Sequence, residues 1–127
     1  MFKFGIINIH IGIIGKYRGL DSDLWAIYNK DFKNIGTCIH FIDKKLDTGP
    51  IIKQKKITLT NKTKIFHLRY LTTVLATEML ITFSKKKISS LEKFKKQKKG
   101  GPYYSFMPHF KKVKAKKILD QFTANLR

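Results

Sequence analysis

Apolar residues fall in short blocks over the first sixty positions and reach helical spacing only afterwards. The block KFGIINIH at 3–10 is short and rich in Ile and Phe, a pattern that predicts a buried strand ending near His10. IGIIGKYRG follows with three glycines in nine positions, which predicts a tight loop held close to another part of the chain. Asp21 or Ser22 can cap a short helix over 23–30, with Leu24, Trp25, Ile27 and Tyr28 as its apolar faces. In TCIHFID at 37–43, Cys38, His40 and Ile42 alternate with Ile39 and Phe41, the period of a second strand. KKLDTGP at 44–50 has the chemistry of a turn, and IIKQKKITL predicts a third strand from Ile51 to Leu59. From Thr63 onward Ile65, Leu68, Leu71, Leu75, Met79 and Phe83 recur by threes and fours, which predicts a long helix. Gly100, Gly101 and Pro102 stop what precedes them, YYSFMP at 103–108 has no clear period, and a short, weakly amphipathic helix is expected over 111–124.

Composition fits this outline to one core. The chain has 127 residues, 43% hydrophobic and 13% aromatic, which is the make-up of one small globular domain. Cys38 is the single cysteine, which excludes an internal disulfide framework and suits a reducing compartment, the cytoplasm. The opening block is interrupted by Lys3, Asn8 and His10, so neither a membrane span nor a signal peptide is expected, and no membrane partner.

Charge changes the picture more. Twenty-seven basic residues against eight acidic ones give +19, enough to attract polyanions without any specific site. Only three of those residues are Arg (Arg18, Arg69, Arg127), whereas base readout favours the planar Arg fork, so no specific nucleic acid is expected. Residues 1–60 hold ten basic and five acidic residues, and 61–127 hold seventeen and three. The runs KKK at 85–87 and KFKKQKKGG at 93–101 follow the periodic segment and suit a solvated helix end with its exit loop.

Asn8, His10 and Asp47 stand where an apolar pattern would not put them. Each alone suits a strand end or a turn. Their context is Asn8-Ile9-His10, a Gly-rich loop closing at Lys16-Tyr17-Arg18-Gly19, then Trp25-Ala26-Ile27, Ile35-Gly36-Thr37, Ile39-His40-Phe41, Asp43, and Leu46-Asp47-Thr48-Gly49-Pro50-Ile51-Ile52. Over residues 5–58 this order resembles the catalytic half of the folate-dependent formyltransferases. That family includes methionyl-tRNA formyltransferase, glycinamide ribonucleotide transformylase and the formyltransferases of nucleotide-linked amino sugars.

The resemblance implies an α/β fold: a partial, Rossmann-like formyltransferase catalytic domain lacking its N-terminal half, followed by a long helix and a basic tail. Its boundaries would be 1–84 for the C-terminal part of the catalytic domain and 85–127 for a Lys-rich extension. It implies 10-formyltetrahydrofolate as formyl donor and Asn8, His10 and Asp47 as the catalytic trio. Asp43, Lys44, Lys45 and Leu46 match the family's segment whose backbone lines the pteridine pocket. YRG, DLWAIYN and the segment Tyr103 to Pro108 lean toward the sugar branch, so the expected acceptor is the amine of a nucleotide-linked sugar. Methionyl-tRNA or glycinamide ribonucleotide is the alternative.

These residue types suit that chemistry. Formyl transfer to an amine develops negative charge on oxygen, which Asn8 or a protonated His10 can meet with a donor. The amine must also lose a proton; a histidine, with an ordinary pKa of ~6.5, can take it while a nearby Asp47 orients the ring. No metal or covalent enzyme intermediate is required.

Ile11 and Gly15 stand where many relatives carry Pro, and Gly15 would loosen the loop. His40 and His67 have no partner motif and are expected as ordinary strand and helix residues. Only seven residues precede Asn8, whereas family members place a half of alternating strands and helices there. The strand at 3–10 would then lack neighbours, and the chain would be a remnant of a longer reading frame or a subunit completed by a separately encoded N-terminal half, inactive alone. A reading from another class is a small basic polyanion-binding protein, salt-sensitive and indifferent to folate.

Overall fold

The computed structural model describes residues 5–85, 94, 96–97 and 101–127. Helices and strands mix as expected. The elements are β1 (Ile7–His10), β2 (Arg18–Gly19), α1 (Ser22–Tyr28), a single 3-10 turn (Phe32–Asn34), β3 (Gly36–Phe41), β4 (Ile51–Lys56), α2 (Ile65–Ser84), β5 (Tyr103–Tyr104) and α3 (His109–Ala124).

β3 is the centre of a three-stranded sheet ordered β1-β3-β4, antiparallel on both sides. All six of its residues are buried, because β1 and β4 flank it and α2 packs across it. The expectation that the first strand lacks neighbours is therefore corrected. The chain turns back through α1 and residues 32–34, so Ile7 meets Phe41 and His10 meets Cys38. β3 ends at Phe41 and β4 at Lys56, both short of their expected ends, and Ile42 is already exposed.

α2 turns Leu68, Thr72, Ala76, Met79 and Phe83 inward, the i, i+4 stripe that a sheet-covering helix needs. His67 is the ordinary helix residue expected: its Nδ1 accepts the Lys64 N–H at 3.1 Å and closes the first turn. α1 begins without the expected side-chain cap. Asp21 adopts a left-handed φ of 48°, and its carboxylate instead accepts the Met107 N–H at 2.9 Å and pairs with Lys112 at 3.1 Å.

Those two contacts tie the distal chain to the first half. α3 sends Ala115 and Leu119 into a core with Tyr17, Ala26, Ile27, Ile35, Leu68 and Met107. β5 pairs in parallel with β2, and Tyr104 lies against Tyr17 and Trp25, each ring 5.2 Å away. The expected solvated Lys runs lie largely outside the described residues. Within them, Phe94 packs 5.1 Å from Phe41. Among the described residues no helix is long and apolar enough to cross a membrane.

Candidate active site

Antiparallel register builds the site. Asn8 and His10 are two apart on β1 and share a face, and Asn8 lies directly opposite His40 of β3. The Asn8 side-chain amide reaches the His40 Nε2 at 3.2 Å. Asp47 comes to the same face from the β3–β4 loop, in a left-handed conformation with φ 54°. Two residues later Gly49 lets the loop pass the Phe41 carbonyl, against which any Cβ would collide.

Asp47 is 5% exposed and faces both imidazoles. Its Oδ2 lies 3.5 Å from His10 Nδ1 and accepts the Gly19 N–H at 3.1 Å, while its Oδ1 lies 3.4 Å from His40 Nε2. His10 donates through Nε2–H to the Tyr17 carbonyl at 2.9 Å, since a carbonyl only accepts. Its ring rests against Gly12, where a side chain would strike Nε2. This is the close approach that the glycine-rich loop foretold. Gly15 takes φ +90°, out of reach of proline, and the Lys16 and Tyr17 amides close the turn on the Ile13 carbonyl.

His40 donates through Nδ1–H to the Phe41 carbonyl at 2.9 Å, leaving Nε2 between Asn8 and Asp47. Burial works against its charged form, but the Asp47 carboxylate and the Phe41 carbonyl outweigh it and hold its pKa above the ordinary value. Burial also opposes ionisation of Asp47. The hydrogen bond from His40, the nearby His10 and the Gly19 N–H together bring that carboxyl below its usual range. The site favours an ion pair. Cys38, two residues before His40 and paired with His10 across the sheet, is buried and its thiol is pushed up to about 12, so it is inert as a nucleophile.

The structure thus brings Asn8, His10 and Asp47 together and adds His40, which is no plain strand residue. Asp43, Lys44, Lys45 and Leu46 form an exposed turn. Asp43 staples it by accepting the Lys45 N–H and the Thr48 hydroxyl, and of the four it alone lines an adjoining cavity of about 270 Å³. Gln97 also lines that cavity and was not anticipated. Its side chain donates to the carbonyls of Asp47 at 3.1 Å and Gly49 at 2.7 Å, and its Oε1 is buried with no partner among the described residues. No sequence signal marked it, because it sits inside the Lys run. A second cavity of about 230 Å³ opens at His10, lined also by Leu20, Asp21, Arg69 and Phe106.

Known proteins resemble this chain in sequence and in fold. The sequence pattern of the family described as formyl transferase matches residues 1–100. Methionyl-tRNA formyltransferase of Thermodesulfovibrio yellowstonii is 37% identical over 79 residues, 62% of this chain and 25% of the relative. Phosphoribosylglycinamide formyltransferase of Escherichia coli is 40% identical over 52 residues, 41% of this chain and 24% of the relative. Among solved structures, the formyltransferase PseJ from Anoxybacillus kamchatkensis holds UDP-4,6-dideoxy-4-formamido-L-AltNAc and tetrahydrofolate. It matches with a TM-score of 0.65 at 30% identity, over 78% of this chain and 51% of its own. The chain spans about a quarter of the length of those curated relatives and about half of that structure. With a family pattern running from residue 1 to residue 100 and these likenesses beside it, the chain belongs to the formyl transferase family.

Proposed function

We infer that Asn8, His10 and Asp47 form the reacting centre of a formyl-transfer site. Together with the part of the catalytic domain that its relatives have and this chain does not span, the chain moves a formyl group from 10-formyltetrahydrofolate to the amine of a nucleotide-linked sugar, in the cytoplasm. The observation that carries this reading is one buried carboxylate, Asp47, set 3.5 Å from His10 beside a cavity that His10 lines. The likeness to PseJ supports the sugar acceptor over methionyl-tRNA or glycinamide ribonucleotide, since it covers 78% of the chain.

10-Formyltetrahydrofolate supplies an activated formyl group, and the cavity at Asp43 and Gln97 suits its pteridine, because the unpartnered Gln97 Oε1 offers an acceptor there. With Nε2–H donated to the Tyr17 carbonyl, His10 takes the proton that the attacking amine loses at Nδ1, and the imidazolium so formed is balanced by Asp47 3.5 Å away. Asn8 has a donor engaged with the His40 Nε2 lone pair. When His40 is protonated, Nε2–H turns to Asp47 and no longer accepts, so the Asn8 amide is released to donate where negative charge develops.

The test supplies an N-terminal half from a relative, with donor and each candidate acceptor, and follows release of tetrahydrofolate. His10→Ala removes the proton acceptor and is expected to slow turnover at least ~100-fold. Parent-like turnover in that variant would refute the mechanism. Salt-sensitive binding to any polyanion, with no response to folate, would favour the basic binding protein instead.

A further inference from the structure

Gln97 stands in the sequence with Lys95 and Lys96 on one side and Lys98 and Lys99 on the other, yet its side chain reaches the loop that carries Asp47. Carbonyls only accept, so the nitrogen of its amide is the atom that faces them, and its two hydrogens match two acceptors: the Asp47 carbonyl at 3.1 Å and the Gly49 carbonyl at 2.7 Å. Those carbonyls bracket the stretch in which Asp47 holds φ 54° and Gly49 passes the Phe41 carbonyl. A left-handed conformation is disfavoured for a residue with a Cβ and persists where its surroundings fix it. The Gly19 N–H fixes the Asp47 carboxylate, and Gln97 fixes its backbone. Phe94, three residues before Gln97, anchors the same segment: its ring lies 5.1 Å from that of Phe41 at the end of β3 and 5.9 Å from that of Phe83 near the end of α2. A glutamate at 97 would set a negative charge against two carbonyls, whereas the amide meets both with donors and carries no charge.

We propose that Gln97 is a positioning residue for Asp47, a clamp on two carbonyls of the β3–β4 loop that sets the carboxylate between His10 and His40. With the loop so held, Oδ2 stays 3.5 Å from His10 Nδ1 and Oδ1 stays 3.4 Å from His40 Nε2. Without those donors the loop is free to shift, and a carboxylate that moves off the imidazoles no longer offsets the burial of His40. The consequence for catalysis rests on reading Asn8, His10 and Asp47 as the reacting centre; the placement of Asp47 does not.

Two NMR measurements on the purified chain, without folate, test the clamp. In the parent, both side-chain amide protons of Gln97 should exchange with water at least ~10-fold more slowly than those of Gln121, which is exposed on α3. Equal exchange would mean that the clamp does not form and would overturn the proposal without any substitution. The second readout is His40, which Asp47 faces directly and Asp43 influences through space, with His10 the other imidazole on Asp47. Gln97→Met keeps the reach of the side chain and removes both donors, so His40 should titrate ~0.5 pH unit or more below the parent, the direction in which Asp47→Asn moves it. Added to Asp47→Asn, Gln97→Met should move it no further, because its effect passes through the carboxylate. A shift of equal size in both backgrounds, or parent-like titration in Gln97→Met, would overturn the proposal. Should Gln97→Met not fold, amide exchange in the parent decides alone. Formyl transfer by the chain completed from a relative, with Gln97→Met titrating like the parent, would keep the reaction and remove the clamp. Titrations as stated, in a chain that transfers no formyl group once completed, would support the clamp and remove the reaction.

Discussion

Asp47 meets two imidazoles and a backbone amide with its two oxygens, and the chemistry of the site follows from how they share its charge. Its carboxyl titrates below the ordinary 3.8, so the stability it lends is complete above that value and is lost as pH falls through the lower, folded one. His40 titrates above the ordinary 6.5; its contribution is complete below 6.5 and is lost as pH rises through its higher folded value. The pair should therefore give a broad plateau of thermal stability that falls on both sides. In Asp47→Asn the carboxylate that offsets the burial of His40 is gone, so the imidazole should titrate at lower pH than in the parent, as read from its NMR shifts. An unchanged His40 titration would break the proposed coupling. Of these residues the sequence made Asn8, His10 and Asp47 legible, since polar side chains interrupt apolar or turn patterns and sit in a recognisable order. His40 was hidden. Strand alternation reads it as an inward core position, and only the antiparallel register that sets it opposite Asn8 reveals what it touches.

Element boundaries were legible where turn chemistry is strong and blurred where it is not. Asp47, Gly49 and Pro50 marked the loop before β4, and the thirds and fourths of α2 fixed that helix to within two residues of its start. α3 was harder to read, because its inward stripe is Ala115, Leu119 and Thr123, small or single apolar positions among lysines. A weakly amphipathic segment reads as a tail, yet Leu119 is fully buried in the core with Ile27, Ile35 and Leu68. Leu119→Ala should cost about 2–5 kcal/mol, the usual range for a buried leucine with partial collapse of the site. Urea unfolding measures it. A loss under ~0.5 kcal/mol would mean that α3 is a detachable extension rather than a wall of the core. The same logic joins α3 to the site, since Met107 N–H and Lys112 both hold Asp21, which lines the His10 cavity.

Net charge sets a condition on everything above. Seventeen basic residues against three acidic ones over 61–127 must be held near a first half that is itself positive, so the folded state stores repulsion that the expanded chain relieves. The opposing local terms are few. Lys112 with Asp21 and Lys116 with Asp120 are the closest lysine pairs among the described residues; the first is partly buried, and the second is open to solvent, where screening leaves it weak. Added salt weakens both effects, but the repulsion acts over longer distances and among many more pairs. Raising ionic strength from ~0.01 to ~0.15 M shortens the screening length from ~30 to ~8 Å, which removes most long-range repulsion and spares contacts under 4 Å. The melting temperature should therefore rise with sodium chloride. Matching the ionic strength with phosphate separates screening from site binding: equal rises indicate screening alone, whereas a larger rise in phosphate would indicate a bound anion. A melting temperature that falls with chloride would mean that the few close pairs outweigh the repulsion, and the charge argument would fail.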